Sequence, residues 1–399
     1  MKKTGKAPLI VAILALSMIA QCNDTNSVIM QSLVVEFPDQ SPLAIQFVMQ
    51  MGMVGAFCVA LTVGFLTRQF YIKHMLLVST LFIFTGGSLP HFFHSDLSML
   101  YVCAFIVGAG QGFLPPLLGT TIIQNFEGKM KDRMLGLNIT FATVGSTLLL
   151  LVAGPLVLAH WTNVYYIYLI VIPVFFIALF LLPRGEKAPK LEGAKQKIPV
   201  PAKGWIQSIM VVMMFLCYVS FPLNVSMYVE GLGLGNAANV SAAMMVTTIV
   251  GAVVGVVFQP LIKVIKLFIG TLAAAFGFTG LLLVTVIPNI WAVYATAALL
   301  GVFFGGQMCS NGYIISRICK PNEVAPTFSI FASFVTVGVI ISPIVLGLLM
   351  QLWGGEGPTG VFTTATVFFG VVLALQIIWN IYLTKTCPPV EAPAAELAE

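Results

Sequence analysis

An acidic residue lies within the first apolar stretch of this sequence. Asp24 falls inside the run from residue 9 to residue 37, and Ser27 and Gln31 follow at the i+3 and i+7 positions, on the same face of a helix. A charged group within hydrocarbon is costly, so such residues usually face an aqueous cavity. We therefore predict that Asp24 exchanges a proton with a cavity. The alternative is a permanently hydrogen-bonded Asp24 that braces its helix against a neighbour.

Amide, hydroxyl and aromatic side chains within the apolar stretches are candidates for binding an organic molecule. We predict that the substrate-binding residues are Asn23, Ser27, Gln111, Phe221, Asn224, Gln307 and Asn311. They occur in the first, fourth, seventh and tenth apolar stretches, which are equivalent positions in successive three-helix units. This distribution predicts a central aqueous cavity lined by one helix from each quarter of the protein. Asn138, Gln376 and Asn380 do not follow the pattern and need other partners.

The sequence does not contain the motifs that would indicate ATP hydrolysis, enzymatic catalysis or metal binding. No GxxxxGK[ST] loop for nucleotide phosphates is present, which argues against an ATP-driven pump. No set of nucleophile, base and orienting residue indicates catalysis, so we predict that the chain is not an enzyme. His91, His94 and Asp96 lie in one short segment, but the cluster offers no fourth ligand. We predict neither a metal site nor a cofactor.

The composition identifies the elements that hold these residues. Of 399 residues, 59% are hydrophobic and 8% are charged, whereas soluble domains are about 25% charged. Because a membrane-spanning helix needs about 20 apolar residues, we predict an all-α polytopic membrane protein with twelve transmembrane helices. The predicted spans are 9–37, 44–66, 75–91, 99–123, 134–160, 163–182, 205–229, 241–261, 267–287, 290–315, 327–352 and 361–383.

The basic residues predict the orientation. All 19 lysines and arginines fall on one side of the predicted spans, as expected when basic residues are retained in the cytoplasm during insertion. We therefore predict a bacterial inner-membrane protein with both termini in the cytoplasm. The net charge of +5 is confined to that face, so it does not indicate a nucleic-acid partner. None of the seven cysteines is placed for an external disulfide.

The chain divides into two similar halves. We predict a six-helix bundle at 1–182, a cytoplasmic linker at 183–204, a second six-helix bundle at 205–385 and a disordered cytoplasmic tail at 386–399. Short segments recur between the halves at offsets near 193–196 residues, such as Gly110-Gln111 and Gly306-Gln307. A duplicated six-helix unit explains this recurrence.

Glycine and proline residues predict close helix contacts and bends. Gly108 and Gly112 have the small-residue spacing that lets two helices approach closely.

The motifs together resemble those of the major facilitator superfamily over nearly the whole chain. Asp24-Thr25-Asn26 is similar to the first-helix Asp motif of drug:proton antiporters, and residues 107–112 to the fourth-helix glycine motif. Ala153-Gly154-Pro155-Leu156 resembles the fifth-helix Gly-Pro motif. The segment 64–73 occupies the place of the family's second-to-third loop, with Arg68 where the family has Asp. The resemblance implies that Gly64, Arg68 and Lys73 form a conformational loop. It also implies that Gly154, Pro155 and Pro343 act in helix packing or as hinges.

The resemblance also implies a function. Two bundles are expected to rock about a central site and expose it to each side in turn. We predict proton-coupled export of a small organic molecule by a monomer that contacts membrane lipid. A cavity without Lys or Arg suits neutral, zwitterionic or cationic ligands better than anions. The alternatives are a proton-coupled uptake symporter and, more remotely, a transport-inactive sensor.

Overall fold

The structure is a computed structural model that describes residues 6–183, 200–265 and 268–386. Most of the predicted linker, 183–204, and nearly all of the predicted tail, 386–399, lie outside these residues. The described residues form helices and connecting turns without a β-strand. The prediction of an all-α polytopic membrane protein is therefore confirmed.

Twelve helices within the described residues are long and apolar enough to cross a membrane, which is the predicted number. Each lies on the segment predicted for it. The spans, numbered first to twelfth in chain order, are Ala7–Val28, Pro42–Gln69, Ile72–Phe92, Leu97–Asn125, Gly128–Ala159, Trp161–Leu181, Ala202–Gly231, Ala237–Gly255, Ile269–Val286, Ile290–Ile318, Thr327–Leu352 and Gly357–Thr386.

An even number of spans brings both chain ends to one face of the molecule. We call this face the terminal face and the opposite one the far face. The terminal face holds the connections at 70–71, 126–127 and 319–320, and the far face those at 37–41, 93–96, 232–236 and 354–356.

The first span is interrupted near its middle. An α-helix at Lys6–Met18 is followed by a turn, a 3-10 helix at Cys22–Val28 and a second α-helix at Met30–Glu36, which continues the first span and is counted with it below. The interruption coincides with the polar run Cys22-Asn23-Asp24-Thr25-Asn26-Ser27. Short polar side chains compete with the helix for its backbone groups. The Thr25 hydroxyl donates to the Cys22 carbonyl at 2.8 Å, and the Ser27 hydroxyl to the Asp24 carbonyl at 2.7 Å.

The seventh span is interrupted at the equivalent place. Its two α-helices cover Ala202–Tyr218 and Ser220–Gly231. Pro222 has no N–H to donate to the carbonyl four residues earlier, and the Ser220 hydroxyl donates to the Cys217 carbonyl at 2.6 Å. The first helix of each half is therefore discontinuous, as in transporters that bind their solute at such breaks.

The two six-helix bundles repeat the same internal contact. In the first bundle, Gly108 of the fourth span lies against the backbone of Gly52 in the second span, where an added methyl group would overlap the Gly52 carbonyl oxygen. In the second bundle, Gly305 of the tenth span lies in the same way against Gly251 of the eighth span. Backbones can approach this closely only where the side chain is a hydrogen atom.

The bundles meet on the far side of the molecule. The 3-10 helix Cys22–Val28 and the helix Met30–Glu36 pack against Ser220–Gly231 of the other bundle, the fifth span packs against the eighth, and the second against the eleventh. By contrast, the helix Lys6–Met18 packs against the fifth and sixth spans of its own bundle. The described helices therefore enclose a cleft that is closed on the far face and open on the terminal face.

The glycine contact gives a stability prediction. We expect Gly108→Ala to lower the stability of the folded protein by about 1–3 kcal/mol, because the new methyl group overlaps backbone that cannot move aside. Gly119→Ala in the same helix is the matched control, since nothing lies within 4 Å of a methyl group there. The apparent Tm in detergent measures both. Equal Tm values for the two variants would contradict the inferred contact.

Candidate functional site

The central cleft exposes one stripe of the first span. The terminal half of this span has exposed or partly exposed side chains at Ala7, Val11, Leu14, Met18 and Gln21, which recur at helical spacing. Residues 22–30 are buried, apart from a partly buried Asp24. The stripe therefore ends at the break in the first span, where Gln21 and Asp24 lie at the apex of the cleft.

Asp24 has one side-chain partner. Its Oδ2 accepts a hydrogen bond from the Ser146 hydroxyl of the fifth span at 3.0 Å. The carboxylate forms no ion pair with a basic side chain among the described residues, and burial and the Ser146 bond are the influences on its ionisation. Because no neighbouring cation in the described part of the chain neutralises the carboxylate, this group can bind a proton instead.

Aromatic rings form the opposite wall of the apex. Tyr218, at the break in the seventh span, is partly buried and close enough to Asp24 to interact with its charge. Its ring stacks on Phe304 of the tenth span, with centroids 5.6 Å apart and planes 26° apart. Phe304 is 36% exposed, so part of its ring lies outside the packed core. The apex thus combines an acid, an amide and two aromatic rings.

The predicted substrate-binding residues of the first bundle lie inside that bundle in this conformation. The Asn23 amide donates to the Met49 carbonyl at 3.3 Å, and the Ser27 hydroxyl is bonded to its own helix. The Gln111 amide donates to the Ala20 carbonyl at 3.1 Å and lies 3.3 Å from Cys22 Sγ. Gln111 therefore satisfies backbone freed by the break in the first span.

The predicted residues of the second bundle are also engaged within the protein. The Phe221 ring is fully buried and lies 6.3 Å from the Phe362 ring. The Gln307 amide donates to the Gly270 carbonyl at 3.0 Å and lies 3.3 Å from Met214 Sδ. Gln307 thus contacts the seventh span in the second bundle, as Gln111 contacts the first span in the first bundle.

Asn311 belongs to a buried polar network. Its amide donates to the Gln307 carbonyl at 2.7 Å, and its oxygen accepts from the Gln207 amide at 2.8 Å. The Trp379 indole in turn donates to Gln207 at 2.9 Å. This network joins the seventh, tenth and twelfth spans, and Asn311 is fully buried within it.

The three amides that did not fit the predicted pattern have partners of their own. Asn138 accepts from the Ser17 hydroxyl at 2.6 Å. The Asn380 amide donates to the Thr271 hydroxyl at 2.5 Å, and Gln376 donates to Asn380 at 3.4 Å. Asn138 and Asn380 thus connect spans within a bundle. The Gln376 bond lies within the twelfth span, and its buried Oε1 has no hydrogen-bond partner among the described residues.

Two glutamines that sequence analysis missed join the bundles. Gln46 of the second span donates to the Asn224 side chain of the seventh at 2.8 Å, and Gln50, one turn further on, donates to the Val339 carbonyl of the eleventh at 2.9 Å. Val339 precedes Pro343 by four residues, and proline has no N–H for that carbonyl. Pro343 therefore frees the acceptor that Gln50 uses. The i, i+4 spacing of the glutamines on one helix face was the available signal.

Serines complete the far-face contact. The Ser226 hydroxyl of the seventh span accepts from the Gln31 backbone N–H at 3.1 Å and lies 3.1 Å from the Val28 carbonyl. The Ser241 hydroxyl of the eighth span donates to the Leu150 carbonyl of the fifth. Bonds between the bundles thus involve all of the far-face helix pairs.

The predicted packing glycines and prolines occupy different interfaces. Gly112 lies against Ala56 of the second span, inside the first bundle. Gly154 lies against Ala238 and Ser241 of the eighth span, at the contact between the bundles. Pro155 is exposed beside it in the fifth span.

Lys73 of the predicted conformational loop is bonded to the sixth span. Lys73 Nζ donates to the Leu182 carbonyl at 2.8 Å, which joins the start of the third span to the end of the sixth on the terminal face. Gly64 is exposed, and nothing lies within 4 Å of a methyl group added there. Arg68 lies in the last turn of the second span and is partly buried.

The histidine segment on the far face serves helix contacts. His91 Nδ1 lies 3.2 Å from the Thr162 carbonyl and His91 Nε2 lies 2.9 Å from the Tyr166 hydroxyl, which joins the third span to the sixth. Asp96 caps the fourth span, and its hydrogen bonds from the Ser98 hydroxyl and N–H lower the pKa of that carboxyl. Among the described residues, no three His, Cys, Asp or Glu side chains form a group suited to a metal ion.

Comparison with known proteins gives the family. A model of the Major Facilitator Superfamily matches residues 12–287 and 264–398. The chain is also 29% identical over 116 residues to the proton-coupled antiporter flippase LtaA of Staphylococcus epidermidis. That match covers 27% of this chain and spans only 28% of the length of the relative.

Solved transporters share the fold. A bacterial homologue of the human lysosomal transporter Spinster, in an inward-facing and unoccupied conformation, has a TM-score of 0.73 at 12% identity and covers 99% of this chain and 100% of its own. The nucleoside transporter NupG has a TM-score of 0.71 at 13% identity, covering 93% and 98%. A peptide transporter of the POT family has 0.68 at 14%, covering 98% of each. Such low identities show the fold alone.

The bond between Gln50 and the carbonyl freed by Pro343 gives a conformational prediction. We expect Gln50→Ala to raise the population of molecules with an open far face by about 2- to 10-fold, because one hydrogen bond between the bundles is removed. Spin labels at the exposed positions Gln40 and Thr359, one in each bundle on the far face, report the opening as a longer distance. Native cysteines are replaced in this background.

Pro343→Ala provides the control for that bond. The new N–H competes for the Val339 carbonyl, so Gln50→Ala should have a smaller effect in the Pro343→Ala background than alone. Additive effects of the two substitutions would contradict the proposed partnership.

Proposed function

Because the chain belongs to the major facilitator superfamily, we propose that it moves a small organic molecule by alternating access, in exchange for protons and in the direction of export. The family match covers nearly all of the chain, and its twelve described spans make it a multi-pass membrane protein. By family it is a transporter and not an enzyme. We propose that it acts as a monomer in a bacterial inner membrane, surrounded by lipid.

The charge distribution supports an orientation for the cleft. Arg68, Lys73, Arg133, Arg317 and Lys385 lie at helix ends on the terminal face, and the far-face connections contain no lysine or arginine. Basic residues are retained in the cytoplasm during insertion. The terminal face is then cytoplasmic, and the cleft between the bundles is open to the cytoplasm.

The observation that carries the proposal is the setting of Asp24. The carboxyl group lies where the first span is broken, at the apex of the open cleft, with Ser146 as its side-chain partner. No basic side chain within the described residues is paired with it. Protons from the cleft can reach such a group, and a cationic solute competes with them for the same site. This competition is the physical basis of proton-coupled antiport.

The opposite wall of the apex supports an organic cation as the solute. The stacked rings of Tyr218 and Phe304 offer an apolar surface and electron-rich ring faces. Asp24 supplies a negative charge across the cleft from them, and Gln21 supplies an amide. An amphipathic cation with an aromatic or bulky apolar part fits this combination better than an anion does.

Uptake by proton symport is the second candidate. It would use the buried amides, such as Asn224 and Gln307, if another conformation exposed them to the cleft. The nucleoside and peptide transporters that share the fold show that polar solutes are also carried by this architecture. The ligand class separates the two candidates.

A thermal-shift comparison measures the ligand class. We expect tetraphenylphosphonium to raise the Tm of the purified protein, because a ligand that binds only the folded state stabilises it by about 2.7 kcal/mol at 100 times its Kd. Phe304→Leu should weaken this shift while leaving the ligand-free Tm nearly unchanged. Uridine and benzoate serve as neutral and anionic comparisons. A shift confined to uridine would favour uptake of a polar metabolite.

The role of Asp24 is measured in proteoliposomes. We expect Asp24→Asn to abolish accumulation of tetraphenylphosphonium driven by a pH gradient, because the amide keeps a hydrogen-bond acceptor for Ser146 but does not release a proton. Glu36→Gln is the matched control, since Glu36 is an exposed acid on the same span and should be dispensable. Full gradient-driven accumulation by Asp24→Asn would rule out the proposed coupling.

A further inference from the structure

A second acid lies at the contact between the bundles on the far face. Glu230 is near the end of the seventh span, partly buried, and its Oε1 is 2.8 Å from the Ser226 hydroxyl one turn earlier. The same hydroxyl lies 3.1 Å from the Val28 carbonyl and accepts from the Gln31 N–H at 3.1 Å. Ser226 is therefore the point at which the seventh span is bonded to the first.

The Ser226 hydroxyl has one proton for two acceptors. A hydroxyl donates once and accepts through two lone pairs. If Glu230 is ionised, both its carboxylate and the Val28 carbonyl require that proton, and only one of them receives it. If Glu230 is protonated, its O–H donates to Ser226, the Gln31 N–H also donates to Ser226, and Ser226 donates to Val28. All three contacts of the structure are hydrogen bonds only in the second case.

We propose that Glu230 is a proton-binding site whose occupancy locks the far face closed. Ionised Glu230 draws the Ser226 proton to itself, since hydrogen bonds to a charged acceptor are the stronger ones. The bond from Ser226 to the Val28 carbonyl in the other bundle is then broken. Protonation of Glu230 therefore stabilises closure, and loss of the proton favours opening to the far side. This inference goes beyond the proposed function, because it does not depend on Asp24.

Other titratable groups around Glu230 do not account for this behaviour. The first span, which packs against this part of the seventh, carries Asp24 and the exposed Glu36. The far-face connections beside the second and twelfth spans carry the exposed acids Asp39 and Glu356. The far-face end of the eighth span carries no charged residue, and the Tyr228 hydroxyl donates to the Val284 carbonyl. Burial and the Ser226 hydrogen bond are the influences that act on the Glu230 carboxyl within the described residues.

The far-face distance between spin labels at Gln40 and Thr359 tests the proposal across a pH series. In the otherwise unsubstituted protein we expect the open population to rise by about 2- to 10-fold from acidic to basic pH, as one hydrogen bond between the bundles is broken. Glu230→Gln should remain closed across the series, because its amide N–H donates to Ser226 as the protonated acid does. Glu36→Gln should titrate like the unsubstituted protein.

Two further variants make the test decisive. Ser226→Ala removes the shared hydroxyl and should give the more open population at every pH. Asp24→Asn should retain the pH response of the far face even if it loses coupled transport, so failure of the proposed antiport leaves this result intact. A pH response that persists in Glu230→Gln, or that disappears in Asp24→Asn but not in Glu230→Gln, would overturn the proposal.

Discussion

The structure depends on one constraint, which is that hydrocarbon offers no hydrogen-bond partner to a backbone group released from a helix. A break or a proline in a span releases such groups, and in three places a side chain of another helix bonds the released carbonyl. Gln111 bonds the Ala20 carbonyl at the break of the first span, Gln50 bonds the Val339 carbonyl that Pro343 frees, and Ser342 bonds the Leu216 carbonyl just before the break of the seventh span. At these three places the interruption of one helix provides the bond that joins it to a neighbouring helix.

This constraint explains how far the sequence predicts the site. Composition and basic residues define the spans, since both act through the free energy of insertion along a single helix. Asp24 is predicted from the cost of a charge in hydrocarbon, and the structure places it at the apex of the open cleft. The direction of an amide is harder to predict, because these helices are apolar on nearly every face and periodicity does not orient them. Gln307 and Asn311 are predicted to contact substrate, yet they are buried in contacts between helices of one bundle.

The two glutamines that sequence analysis missed show the same limit of prediction from sequence. Gln46 and Gln50 lie in a span whose neighbours in the second bundle are distant in sequence, so their partners follow only from the way in which the bundles meet. The acceptor for Gln50 is a backbone carbonyl, and only the position of Pro343 marks it. The residue pattern of one span therefore does not reveal that an amide in one half is paired with a proline in the other.

The proposed alternating access requires that the terminal face close when the far face opens, so that helix packing on one face takes the place of helix packing on the other. The terminal halves of the spans carry features suited to such packing that the present conformation leaves unused. Gly64, Gly136 and Gly312, in the second, fifth and tenth spans, have nothing within 4 Å of an added methyl group, although glycine in a helix interior is unfavourable by about 0.5–1 kcal/mol relative to alanine. On the far face, by comparison, Gly154 of the fifth span lies directly against the eighth. In the proposed cycle, closure of the terminal face would bring neighbouring helices against these glycines.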